Sequence, residues 1–147
     1  MISVDQIKQL REETAVSISD CKKALEETEG DMAKAKDLLK KWGKDLAVEK
    51  ANREARQGII ASYIHPNKKI GVLLELNCET DFVAKGQDFQ TLAHELCLQI
   101  AAIKGDIVLI EQPWIKDQAK TIKDLLADYI AKTGENIVVK KFERYEI

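Results

Sequence analysis

Asn77-Cys78-Glu79-Thr80-Asp81-Phe82-Val83-Ala84-Lys85 is the stretch on which the architecture turns. Before it runs Ile70-Gly71-Val72-Leu73-Leu74-Glu75-Leu76, an apolar segment that reads as a strand leaving a core. After it, Phe89, Leu92, Ala93, Leu96, Ile100 and Ile103 recur at helical spacing, with Asp88 as the expected N-cap. Strand, short polar connection and amphipathic helix place one aromatic ring, Phe82, on a loop between two rigid elements, where recognition residues concentrate. Phe82 then has two readings: a ring packed beneath the loop, or a ring presented to a partner.

Working outward, Ile59-Ile60-Ala61-Ser62-Tyr63-Ile64 is β-favourable and His65-Pro66-Asn67-Lys68-Lys69 is turn chemistry, so this run and Ile70–Leu76 are expected to form an antiparallel hairpin. Lys104-Gly105-Asp106 breaks the following helix, Val108 to Ile110 is a brief apolar run, and Pro113 ends it. Thr121 and Asp124 have capping spacing before the stripe Ile122, Leu125, Leu126, Tyr129, Ile130, and Gly134 stops that helix. Asn136 to Tyr145 reads as a closing strand. Two or three strands with helices on one face make an α+β arrangement, and its exposed sheet edge offers a second copy a place to pair.

Toward the N-terminus, Ser3 with Gln6 and Ser17 with Asp20 have capping spacing, and Asp31 follows the helix-ending Gly30. The stripes Val4-Ile7-Leu10, Cys21-Ala24-Leu25-Thr28 and Ala35-Leu38-Leu39-Trp42 imply three short helices with tight connections. They resemble a ubiquitin-associated-type bundle with a small core. Ile18, on the turn Ala15-Val16-Ser17-Ile18-Ser19, is a candidate contact. Gly43 is expected to interrupt the third helix, and 44–57 to form a connector helix whose lysines and arginines interleave with Asp45, Glu49 and Glu54. The expected units are a bundle (1–43), a linker helix (44–57) and an α+β core (58–147).

Composition narrows the chemistry. With 23 Lys+Arg against 25 Asp+Glu, a formal net charge of −2, no basic domain is available for nucleic-acid binding. No apolar signal run opens the sequence, nothing reaches membrane-spanning length, and Cys21, Cys78 and Cys97 lack the spacing of a zinc site or a disulfide framework. A reducing, cytoplasmic setting is expected. No phosphate-binding glycine loop, nucleophile elbow or metal cluster appears, and no cofactor is called for. Cys78 beside Asp81 is a thiolate candidate, but it lacks a base in sequence, as nucleophilic catalysis requires. An interaction protein without catalytic residues is the expectation.

Three blocks then carry a resemblance. Asn77-Cys78-Glu79-Thr80-Asp81-Phe82-Val83-Ala84, the pair Leu10-Arg11-Glu12-Glu13-Thr14 and Asp20-Cys21-Lys22-Lys23-Ala24-Leu25, and Gly134-Glu135-Asn136-Ile137-Val138-Val139 together resemble the elongation factor Ts family, in order and across most of the chain. The resemblance implies a guanine-nucleotide exchange factor for the GTPase elongation factor Tu, and not an enzyme. It implies that Thr80, Asp81, Phe82 and Val83 enter beside the GTPase's magnesium site, and that Arg11, Ile18, Ser19 and Lys22 supply bundle contacts. Two departures stand out. Where the family often has Gly-x-Gly-Met-Met, this chain has Ala15-Val16-Ser17-Ile18-Ser19, and Ser19 lacks a methionine's reach. Lys104-Gly105-Asp106 stands where many relatives insert a long helical segment or a second core half. The competing expectations are a ubiquitin-associated-like adaptor without exchange activity, and a thiol enzyme using Cys78.

Overall fold

Each N-terminal helix begins where a short polar side chain takes a free amide. In the computed structural model, which describes residues 2–147, α1 (Val4–Thr14) opens with a complete Ser3–Gln6 capping box, α2 (Ile18–Glu27) with Ser17 accepting from the Asp20 amide, and α3 (Met32–Lys50) with Asp31 accepting from the Lys34 amide. Leu10, Cys21, Ala24, Leu25, Ala35 and Leu39 form the bundle's core. The bundle is as expected; the connector is not. α3 runs unbroken through Gly43 to Lys50, so no separate helix covers 44–57, and residues 51–56 instead turn the chain into the sheet. The helix continues through Gly43 because α3 packs on the last helix there, which outweighs glycine's entropic cost of about 0.5–1 kcal/mol. The last helix is α6 (Ile122–Thr133), and a Cβ at position 43 would lie 3.5 Å from Ala131 Cβ. Lys44 also pairs with Asp124 at 3.4 Å, so the bundle is packed onto the core through α3.

The hairpin forms as expected from β1 (Gln57–Ile64) and β2 (Ile70–Cys78), in a register that pairs Ile59 with Leu76 and Tyr63 with Val72. After β2 come a single helical turn, α4 (Asp81–Ala84), and α5 (Gln87–Ala102). A 3₁₀ turn (Leu109–Glu111) leads to a two-stranded ribbon, β3 (Pro113–Trp114) with β4 (Asp117–Thr121), then α6 and β5 (Val138–Glu146). β5 joins the far side of β2, so the main sheet is antiparallel in the order β1-β2-β5 and has two free edges.

Strand alternation sets the core. Val72, Leu74, Leu76 and Cys78 face Phe89, Leu92, Leu96 and Ile100 of α5 in the larger cluster, which α6 completes with Ile122, Leu125 and Ile130. Ile60 and Leu73 lie on the opposite, open face. Several local expectations need correction. Gly86, not Asp88, precedes α5, and Asp88 lies inside its first turn. Ile103 lies beyond the helix and is only half-buried. The run Val108–Ile110 enters the 3₁₀ turn. The ribbon was not expected at all, because its order depends on fully buried Gln99, which donates to Gln112 and to the Pro113 carbonyl and accepts from the Ile115 amide.

Candidate functional site

The connection between β2 and α5 is more ordered than a loop. Asn77 and Cys78 belong to β2, and Thr80 (φ −125°, ψ 152°) is an extended N-cap whose Oγ1 accepts from the Val83 amide at 3.3 Å. The Lys85 amide donates to Asp81 O at 3.1 Å and the Gly86 amide to Val83 O at 3.0 Å; Gln90 Nε2 closes the turn by donating to Ala84 O at 3.0 Å. One helical turn allows its inner side only two residues: Ala84 is buried and Val83 packs against the main core. Phe82 is therefore turned outward and is 88% exposed, so it is not packing beneath the loop. Asp81 stands beside it at the surface, 2.9 Å from Lys85 Nζ, and this hydrogen bond raises the Lys85 pKa.

Two carboxylates that sequence reasoning did not single out hold this turn. Glu135 Oε1 accepts from the Glu79 and Thr80 amides at 3.1 and 2.9 Å, and its Oε2 accepts from Thr80 Oγ1 at 2.7 Å. Glu79 reaches the other way, accepting from the Asn136 amide at 2.6 Å and pairing with Arg53 at 2.8 Å. Asn136 Nδ2 donates to Arg53 O at 2.8 Å. Glu135 and Asn136 lie in a quoted block and Glu79 in another, but nothing in the sequence announces a contact across more than fifty residues.

In the bundle, Ala15 adopts a left-handed conformation (φ 59°) that ends α1, and Val16 turns inward. Ile18, the first residue of α2, is left 54% exposed. It shares a shallow hollow with Val4, Ile7, Arg11 and Ala15, so Arg11 and Ile18 are brought together. Ser19 and Lys22 are exposed on α2, Lys22 one helical turn beyond Ile18.

The thiol-enzyme expectation fails on geometry. Cys78 is fully buried, its Sγ donates to Thr80 O at 3.2 Å, and burial pushes the thiol up to about 11. Neither histidine bonds to it: His65 Nδ1 lies 3.1 Å from Tyr63 Oη, and His94 is at the surface with its ring edge-on to Tyr63. Among the described residues there is no cluster of metal-ligating side chains and no helix long and apolar enough to cross a membrane.

Comparison with known proteins gives a consistent result. The family model described as elongation factor TS matches residues 79–147, the segment holding the helical turn and both carboxylates. A protein named elongation factor Ts from Thermotoga neapolitana is 41% identical over 191 aligned positions, covering 99% of this chain and 97% of the relative. The namesakes from Thermotoga maritima (42%, covering 99% and 96%) and Moorella thermoacetica (38%, covering 100% and 96%) behave alike. The 191 aligned positions exceed the chain's 147 residues, so the Thermotoga relatives carry residues that this chain lacks. On this similarity along nearly its whole length, the chain belongs to the elongation factor Ts family.

Proposed function

We propose that this protein is a guanine-nucleotide exchange factor for elongation factor Tu. It binds the GDP-bound GTPase, disturbs the Mg²⁺ and phosphate site, and promotes GDP release and GTP loading during polypeptide elongation. The observation that carries the proposal is Phe82, an aromatic ring 88% exposed on an ordered helical turn. Leaving such a ring in water is unfavourable by about 2 kcal/mol relative to burying it, and a partner's cleft recovers that. Nucleoside diphosphates are held by a phosphate-cradling loop and by Mg²⁺, which neutralises clustered charge. A wedge that shifts the groups positioning the metal weakens that hold without touching the base. In this proposal Phe82 is the wedge, Asp81 offers hydrogen bonds to groups freed by the movement, and Thr80 and Val83 shape the turn. Arg11, Ile18, Ser19 and Lys22 provide a second contact from the bundle.

Coupling is reciprocal: a factor that weakens GDP binding is itself released more readily by GDP. Release and loading both accelerate while the GDP–GTP equilibrium of the free GTPase stays unchanged. No bond is transferred, so the proposal needs neither a catalytic residue nor a cofactor, and it places the work in the cytoplasm. An adaptor role would employ the bundle alone and leave the presented ring without a task. The test is release of fluorescent GDP from preloaded elongation factor Tu into excess unlabelled GDP. The rate should rise with the concentration of this protein and then saturate; a rate equal to the GTPase alone at every concentration refutes the proposal.

A further inference from the structure

We propose that Glu135 is a positioning residue: its carboxylate, fixed on the α6–β5 connection, holds the Thr80–Ala84 turn in the orientation that presents Phe82. The inference rests on the exchange-factor proposal for its functional consequence, though not for its structural part. α4 has four residues, far below the length at which a helix in water sustains itself, so its order comes from outside. Val83 and Ala84 anchor its inner side. Its start is held by the three hydrogen bonds into Glu135, all charge-assisted and so among the stronger kind.

Thr80 Oγ1 joins the two halves of the arrangement. It donates to Glu135 Oε2 and accepts from the Val83 amide, so the carboxylate fixes the hydroxyl rotor that caps the turn. Glu79 answers from the opposite side through Asn136 and Arg53, tying the tip, the α6–β5 connection and the segment before β1 together. Glu135 is not needed to finish α6. Gly134 does that with a left-handed φ of 74° and an amide donating to Ile130 O at 2.8 Å. The carboxylate is left to the tip. Phe82 stands two residues beyond the clamp, so rotation at Thr80 displaces the ring, and small misplacements of a working group are costly.

The experiment uses the full chain with Glu135→Ala and Glu135→Gln, read in two ways. Amide hydrogen exchange of the free protein reports the tip. In Glu135→Ala, the amides of Val83 to Gly86 should exchange on the order of tenfold faster, the loss of a charge-assisted hydrogen bond, while β2 amides keep their protection. Stimulated GDP release, titrated with factor, reports the consequence. The maximal rate should fall on the order of tenfold while the half-saturating concentration moves by less than about twofold. Glu135→Gln, which keeps a carbonyl acceptor, should lie between. Thr80→Val provides a second route, removing the hydroxyl link while leaving the carboxylate.

Parental protection of the tip in both Glu135→Ala and Thr80→Val overturns the structural part. A loosened tip with an unchanged maximal rate overturns the positioning role. Loss of β2 protection in Glu135→Ala together with a rigid tip in Thr80→Val also overturns it, since Glu135 would then serve the fold. Failure of the exchange-factor proposal looks different: the tip loosens as described, but the parent protein itself does not stimulate release.

Discussion

Phe82 and Cys78 are four residues apart and meet opposite fates, because the strand ends between them. Cys78, the last inward position of β2, lies in the core, its thiol raised to about 11 by burial. At pH 7.5 its thiolate fraction is well under one per cent, so the folded protein should resist iodoacetamide at Cys78 and react once unfolded. Prompt labelling of Cys78 in the native state, read by peptide mass, would contradict this placement. Cys78→Ser should change stimulated GDP release by less than about twofold, because the thiol hydrogen-bonds only to Thr80 O and its packing is with the core, away from the presented ring. Local pattern alone leaves Phe82 two readings; the absence of a catalytic cluster and the family resemblance favour a presented ring. What decides it is which side of a single helical turn meets the core, and that depends on Ala84 and Val83 docking on strands far away in sequence.

At the scale of elements, capping chemistry and apolar period made most helices legible. Ser3, Ser17, Asp31 and Thr121 all cap as their spacing implies, and the hairpin register follows from alternation. What escaped is what tertiary contact decides: the helix continuing through Gly43, the ribbon ordered by Gln99, and the carboxylates clamping the tip. Two glycines make the point testable. At Gly43 a Cβ meets Ala131 Cβ at 3.5 Å, an ordinary contact, so Gly43→Ala should stabilise the protein by about 0.5–1 kcal/mol in urea unfolding. At Gly58 (φ 155°) a Cβ would lie 2.2 Å from the Leu76 carbonyl oxygen and 2.8 Å from Asn77 Cα, both backbone atoms that cannot yield separately. Gly58→Ala should therefore cost about 2 kcal/mol or more by displacing β1 from β2. Equal effects of the two substitutions would show that the α3–α6 seam or the β1–β2 pairing is misdescribed. The bundle's contact is testable separately: Ile18→Ala, at an exposed site, should raise the half-saturating concentration in the exchange assay severalfold with the maximal rate nearly intact.

Across the whole molecule, two apolar clusters are joined by one helix, and the two surfaces proposed to meet the GTPase lie one on each part. The larger cluster also sets an alkaline limit. Cys78 and Cys97 both sit near 11 in the folded state, raised by burial from 9.0. The folded chain thus keeps protons that the unfolded chain releases. Their contribution is complete below pH 9 and is lost as pH climbs toward 11, so the urea midpoint should fall over that window. The fall should be shallower in Cys78→Ala/Cys97→Ala; identical slopes would show that the thiols do not couple to folding. For the molecule's work, the decisive measurement is release of fluorescent GDP from elongation factor Tu at saturating concentrations of the parent and of Phe82→Ala, with melting of both followed in parallel. Phe82→Ala should melt within about 2 °C of the parent, as expected for an exposed side chain, and lose most of the stimulation. A folded Phe82→Ala that releases GDP as fast as the parent would show that the presented ring is not what opens the nucleotide site.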